Sequence, residues 1–202
     1  MKELNLTVIS GSHRGNSESE RIGAIITGKL KTFGTNAKLL TLAGSPIPLW
    51  DQEELKDPES NLSSSWNSWK TDLSASEGFV IISPEWGGMV PPALKNLFLL
   101  SSQQELGHKP ALIVSVSATI NGAYPIAELR SSSYKNNKIC YLPEQIIIRG
   151  AADFLKTSDD PSANKLEERL NHSLHFLIEY AKAFRLIRES EVYRSGEYPF
   201  GM

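Results

Sequence analysis

The chain has 202 residues, 40% of them hydrophobic and 22% charged, an ordinary globular composition with room for one substantial core. Its formal net charge of −2 offers no general attraction for nucleic acid or for acidic membrane surfaces. Cys140 is the only cysteine, which excludes an internal disulfide and a multi-cysteine zinc site and fits a reducing compartment.

The N-terminal MKELNLTVISGS has too short an apolar run for a signal peptide, and no stretch is long enough to span a membrane. The cytoplasm is the expected location. Leu4–Ile9 predicts a first strand, Ser17–Thr32 a helix and Lys38–Leu42 a second strand. Gly44–Ser60, rich in proline and acid, is expected to be loose. A helix over Leu62–Ser74 leads to a strand at Phe79–Ser83, then a helix over Pro91–Gln104 to a strand at Ala111–Ser117. The remaining expectations are a helix at Tyr124–Lys135, a strand at Ile139–Ile148 interrupted by Pro143, and a helix at Ala163–Arg188. Ser190–Met202 is a second loose piece. Runs such as ALIVSVS are apolar on both parities, which suits a parallel sheet covered on both faces. The alternation predicts an α/β three-layer sandwich: one domain over 1–189, with a tail over 190–202.

In such sheets ligands bind beyond the carboxyl ends of the strands. Three loops there carry unusual residues. The first, GSHRGNSES after strand one, lacks a P-loop and a dinucleotide fingerprint. It offers the hydroxyls of Ser12, Ser17 and Ser19, the Arg14 guanidinium and the N–H groups of a helix N-terminus, donors suited to a phosphate monoester. A plain helix cap is the competing reading, because Ser17 and Glu20 are spaced for a capping box, and Glu18 and Glu20 would repel a phosphate if they faced it. The second loop, SPEWGGMVPPALKN, pairs Gly87 with Gly88 so that backbone can approach a flat ligand, with Trp86 at its flank. The third, SATINGAYP, begins at Ser117 and carries Asn121-Gly122; a simple turn would also explain it.

These residues together resemble the NAD(P)H-dependent FMN reductase family of flavodoxin-like proteins, which includes quinone, chromate and azo-dye reductases. GSHRGNS is similar to the family's G-S-x-R-x-x-S phosphate loop, and IPLWDQEEL to its segment after strand two. PEWGGMVPPALKN resembles P-E-Y-N-x-S-x-P-G-x-L-K-N, and KPALIVSVSATINGAYPIAELR resembles the strand-four segment ending in L-R. The resemblance runs from about Leu4 to Arg130.

It implies a sheet of order 2-1-3-4-5 and an FMN whose phosphate is held by Ser12, Arg14, Ser17 and Ser19. Pro84, Glu85, Trp86, Gly87 and Gly88 would border the ring, Asn121 and Gly122 would lie against its pyrimidine side, and Ser117 would be a further cofactor-binding residue. It further implies NADPH or NADH as reductant, a small-molecule electron acceptor such as a flavin or quinone, and a homodimer or homotetramer. No nucleophile or catalytic base is then required, since the flavin carries the chemistry. The chain departs from the family pattern with Trp86 for Tyr, Gly87-Gly88 for Asn-x, Pro92 for Gly, Asn121 for the first Gly of a pair, and Tyr124 where Arg is common. Glycines at 87 and 88 are expected to loosen the ring-side loop. An FMN-binding sensor or electron carrier, and a hydrolase using Ser12, are the alternatives.

Other features read as structural. Glu168, His172, His175 and Glu179 share a helix stripe with metal-ligand spacing, but with interleaved leucines it fits an interface edge better. His13 and His108 have no partner readable from sequence and are expected at the surface. Trp50, Trp66 and Trp69 are expected in the core or an interface, and Cys140 as an inert buried thiol.

Overall fold

The computed structural model describes residues 3–155, 161–194 and 198. Strands β1 (Asn5–Ser10), β2 (Asn36–Thr41), β3 (Gly78–Pro84), β4 (Pro110–Val116) and β5 (Cys140–Ile148) form one sheet of order β2-β1-β3-β4-β5. Every pairing in it is parallel. Around it lie helices α1 (Glu18–Thr32), α2 (Gln52–Lys56), α3 (Asn61–Ala75), α4 (Pro92–Leu100), α5 (Gln103–Leu106), α6 (Tyr124–Ser131), α7 (Pro161–Glu189) and α8 (Glu191–Arg194).

Both faces of the central strands are buried, as their doubly apolar runs require. Val8, Val80, Ile82 and Val114 pack with Ile22 and Ile26 of α1 and Leu170 and Leu174 of α7. The alternate residues Ile9, Phe79, Ile81 and Ile113 pack on the other face with Leu62 and Trp66 of α3 and Leu94 of α4. Trp69 is buried there too, whereas Trp50 is exposed. The strand order reverses beside β1, so the loops leaving β1 and β3 diverge and open a crevice at their carboxyl ends.

Local chemistry moves several boundaries. The helix expected over Pro91–Gln104 breaks at Ser101, because Ser102 caps a new helix and Glu105 reaches back to the Ser102 N–H at 2.7 Å. Within Gly44–Ser60, Asp51 accepts from the N–H groups of Glu53 and Glu54 and starts α2. The helix expected to Lys135 ends at Ser131. Pro143 is tolerated because β5 is an edge strand whose register shifts opposite Ala111 and Ile113. The Arg130 guanidinium ties that shifted segment down, donating to Leu142 O at 2.6 Å and Pro143 O at 3.2 Å.

At the opposite end of the sheet from the crevice, the buried Lys109 ammonium donates to Leu73 O, Ser74 O and Glu105 O at 2.6–3.0 Å. Those carbonyls lie at the ends of α3 and α5, where the ammonium adds to the backbone donors Ser76 N–H on Leu73 O and Gly107 N–H on Gln103 O. Nearby, Arg185 of α7 bonds Glu77 at 2.6 Å. Burial pushes the Glu77 carboxyl up, but the Arg185 and Asn5 N–H bonds and the charges of Arg185 and Arg188 together hold it below its usual value.

Candidate flavin site

The loop leaving β1 is pressed against β3. Gly11 donates to Ile82 O at 2.8 Å, and a Cβ there would stand 2.6 Å from that oxygen, so only glycine fits. Ser12 is buried, and its Oγ accepts the Arg14 N–H at 3.2 Å, which orders the loop. The Arg14 guanidinium is exposed and has no partner among the described residues. Ser17 does cap α1, accepting from the Glu20 N–H at 3.2 Å, so the cap reading is correct as far as it goes.

A cap does not explain the cavity beyond it. About 390 Å³ of space is walled on one side by Ser12, Arg14, Ser17 and Ser19. Pro84, Glu85 and Trp86 form the other wall. Glu18 also lines it, but its carboxylate is paired with Arg21 at 2.6 Å, which offsets its own repulsion of an anion, and Glu20 is not among the lining residues. Arg21 in turn donates to Ala151 O at 2.7 Å, tying α1 to the chain after β5.

The second loop is closed on itself as a hairpin. Trp86 and Met89 exchange backbone hydrogen bonds of 3.1 and 3.0 Å, and Gly87 and Gly88 between them have φ of +58° and +76°. That is a type I′ turn, which demands left-handed backbone at both central positions, so the glycines serve a tight hairpin. Its exit is fastened as well. The Val90 N–H donates to Glu128 Oε2 at 2.7 Å, and Glu128 pairs with Lys95 at 2.5 Å. His13 is not an isolated surface group: its ring meets Trp86 edge-on, 4.5 Å between centroids, joining the first loop to the second.

The third loop is tied to the second through Glu85, whose Oε2 accepts the Gly122 N–H at 2.7 Å. Gly122 has a φ of +112°, and a Cβ there would lie 2.5 Å from Ile147 Cγ2. Ser117 Oγ accepts from the Thr119 N–H at 3.3 Å. Between these two loops lies a second cavity of about 570 Å³ lined by Glu85, Gly87, Gly88, Ser117, Asn121 and Tyr124. Glu85 borders both cavities, so they meet there. All twelve residues singled out from sequence therefore line these spaces or, as with Gly122, hold their walls.

Sequence reasoning missed Ala118, Ala151 and Ala152, which also line the site. Alanine carries no chemical signal, and it is long-range bonds such as those from Ala151 N–H to Ser117 O at 3.1 Å and from Arg21 to Ala151 O that place that segment there. Among the described residues no group of His, Cys, Asp and Glu is arranged to hold a metal. His175 stacks on Phe33 and His172 meets Phe176, so that stripe makes aromatic contacts. Cys140 is half-buried, and burial pushes its thiol up.

The donor set fits a phosphate monoester: hydroxyls, a helix N-terminus and a guanidinium without a partner among the described residues. The second space, bordered by glycine backbone and Tyr124, suits a planar group.

Comparison with known proteins agrees with this geometry. The family described as NADPH-dependent FMN reductase matches residues 4–153. An NADPH azoreductase of Bacillus sp. (strain OY1-2) is 25% identical over 148 residues, covering 73% of this chain and 78% of that protein. Among solved structures, FerB, a flavoenzyme NAD(P)H:(acceptor) oxidoreductase from Paracoccus denitrificans, is similar with a TM-score of 0.73 at 17% identity, covering 90% of this chain and 98% of its own. An oxidoreductase from Corynebacterium diphtheriae gives a TM-score of 0.67 at 16% identity over 93% of this chain and 99% of that one.

Proposed function

We propose, from the premise that the chain belongs to the NADPH-dependent FMN reductase family, that the two joined cavities are its flavin site. Its activity is that of an NAD(P)H-dependent oxidoreductase with FMN as cofactor. When bound, FMN takes electrons from NAD(P)H and passes them to an acceptor.

The chain's own residues bind and orient. Arg14 neutralises the phosphate, and Ser12, Ser17 and Ser19 supply hydroxyls to it. Pro84, Trp86, Gly87 and Gly88 border the ring, while Asn121 lies on the pyrimidine side. Ser117 and Gly122 shape that side, and Glu85 holds the third loop in place by accepting the Gly122 N–H. A hydrolase reading lacks support, because Ser12 Oγ is engaged by the Arg14 N–H and no described side chain bonds it as a base.

The observation that carries this reading is the Arg14 guanidinium, without a partner among the described residues, on the same cavity wall as three serines. Titrating the apoprotein with FMN tests it. Saturable quenching of flavin fluorescence at one FMN per chain is expected, and absence of binding would end the reading.

The acceptor we propose is a small electrophile such as a quinone, a free flavin or an azo compound, the last because the Bacillus relative is an azoreductase. We read 1–189 as one domain and 190–202 as a tail; most of the tail lies outside the described residues. A homodimer or homotetramer is proposed because Leu186 and Ile187, near the end of the 29-residue α7, are exposed, and a light-scattering mass tests it. No described helix is long and apolar enough to cross a membrane. With the single cysteine, the cytoplasm is the compartment we propose.

A further inference from the structure

We propose that Arg149 grips a phosphate of the pyridine nucleotide and thereby governs how tightly NADPH and NADH bind, a proposal that rests on the flavin reading of the site. On that reading the nucleotide approaches the cavity between the second and third loops, and a cation at its rim would meet the phosphates.

Few cations are available there. Arg14 lies at the phosphate end of the first cavity. Arg21 is spent on Glu18 and on Ala151 O. Lys95 is paired with Glu128. Arg149 is the exception.

The chain after β5 runs alongside the third loop: Ser117 N–H donates to Ile148 O at 2.9 Å, and Gly150 N–H to Thr119 O at 3.1 Å. Arg149 sits between those two bonds, exposed, with its Nε donating to Ile120 O at 2.6 Å. Thr119 and Asn121, on either side of Ile120, both line the cavity. The Nε bond fixes the guanidinium on the rim and leaves both terminal nitrogens without a partner among the described residues. Those nitrogens form the planar fork that holds phosphate oxygens in pairs. No described carboxylate pairs with Arg149, so none of those has to be displaced when a phosphate arrives.

The test compares the wild-type FMN holoprotein with Arg149→Gln and Arg149→Lys. NAD+ and NADP+ are titrated separately while the visible flavin band is followed, and FMN affinity is measured for each variant. Arg149→Gln should weaken nucleotide binding about tenfold or more, with FMN affinity unchanged and Arg149→Lys intermediate, because lysine keeps the charge but not the fork. Equal losses for both nucleotides assign the contact to the pyrophosphate, and a loss confined to NADP+ assigns it to the 2′-phosphate; either supports the proposal. Unchanged nucleotide affinity in Arg149→Gln overturns it, as does a parallel loss of FMN affinity. Failure of the wild-type protein to bind FMN at all is a separate result, seen before any nucleotide is added, and removes the flavin reading together with this proposal.

Discussion

Arg14→Ala separates a phosphate site from a helix entrance. The guanidinium makes no hydrogen bond within the described protein, so its removal should leave the melting temperature of the apoprotein unchanged. If it meets the FMN phosphate, a charge-assisted bond of about 1.5–3 kcal/mol is lost. Arg14 is exposed, and solvent screening favours the lower figure, about 1.5 kcal/mol or roughly tenfold in Kd. Riboflavin has the same ring without the phosphate and should lose almost nothing. Ser17→Ala gives the contrast, since losing the bond from the Glu20 N–H costs about 1 kcal/mol and about 2–4 °C in melting temperature whether or not flavin binds there. The assay is fluorescence titration of each apoprotein with FMN and with riboflavin. Equal losses for the two flavins, or none for either, would refute the placement of the phosphate.

Gly88→Val should weaken FMN binding by forcing a β-branched residue to a φ of +76°, a strain of about 1–2 kcal/mol, while Gly88→Asn should retain most affinity; flavin titration compares them. Gly122→Ala should also lower FMN affinity, because a Cβ 2.5 Å from Ile147 Cγ2 displaces the N–H that Glu85 holds, and a structure of the variant should have that bond broken. Lys109→Met should cost roughly 2–4 kcal/mol in denaturant unfolding by removing the ammonium that bonds three carbonyls, of which Leu73 O keeps the Ser76 N–H, with Kd for FMN unchanged. The folded-state pKa of Glu77 lies below its ordinary 4.5, so its contribution is fully present above that value and is lost as pH falls through the lower one. Thermal melts from neutral pH downward should lose less stability on acidification in Arg185→Ala than in the wild type.

The sheet was legible because β3 and β4, buried at every position, carry the unbroken apolar runs Phe79–Ile82 and Ala111–Val114 that parallel packing on two faces requires. The three loops were legible because glycine and proline mark places where ordinary backbone fails. Gly87-Gly88 was located correctly and misread in its consequence: with no Cβ the pair looks slack, but the reciprocal Trp86 and Met89 bonds make it a fixed hairpin. The break at Ser101 was written in the sequence as Ser102-x-x-Glu105, a capping box hidden inside an apolar helical pattern. The links from Glu85 to Gly122, Arg21 to Ala151 and His13 to Trp86 join residues far apart in the chain, and no local pattern encodes them. They exist because the parallel sheet brings the ends of four strands to one edge.

Anaerobic titration of the FMN-loaded protein with NADPH tests the central claim most directly. The visible flavin band should bleach with one equivalent of NADPH and return when one equivalent of a quinone is added, and the cycle should repeat on the same protein. A band that stays oxidised with excess NADPH and NADH would contradict the account and leave an FMN-binding sensor or electron carrier in its place.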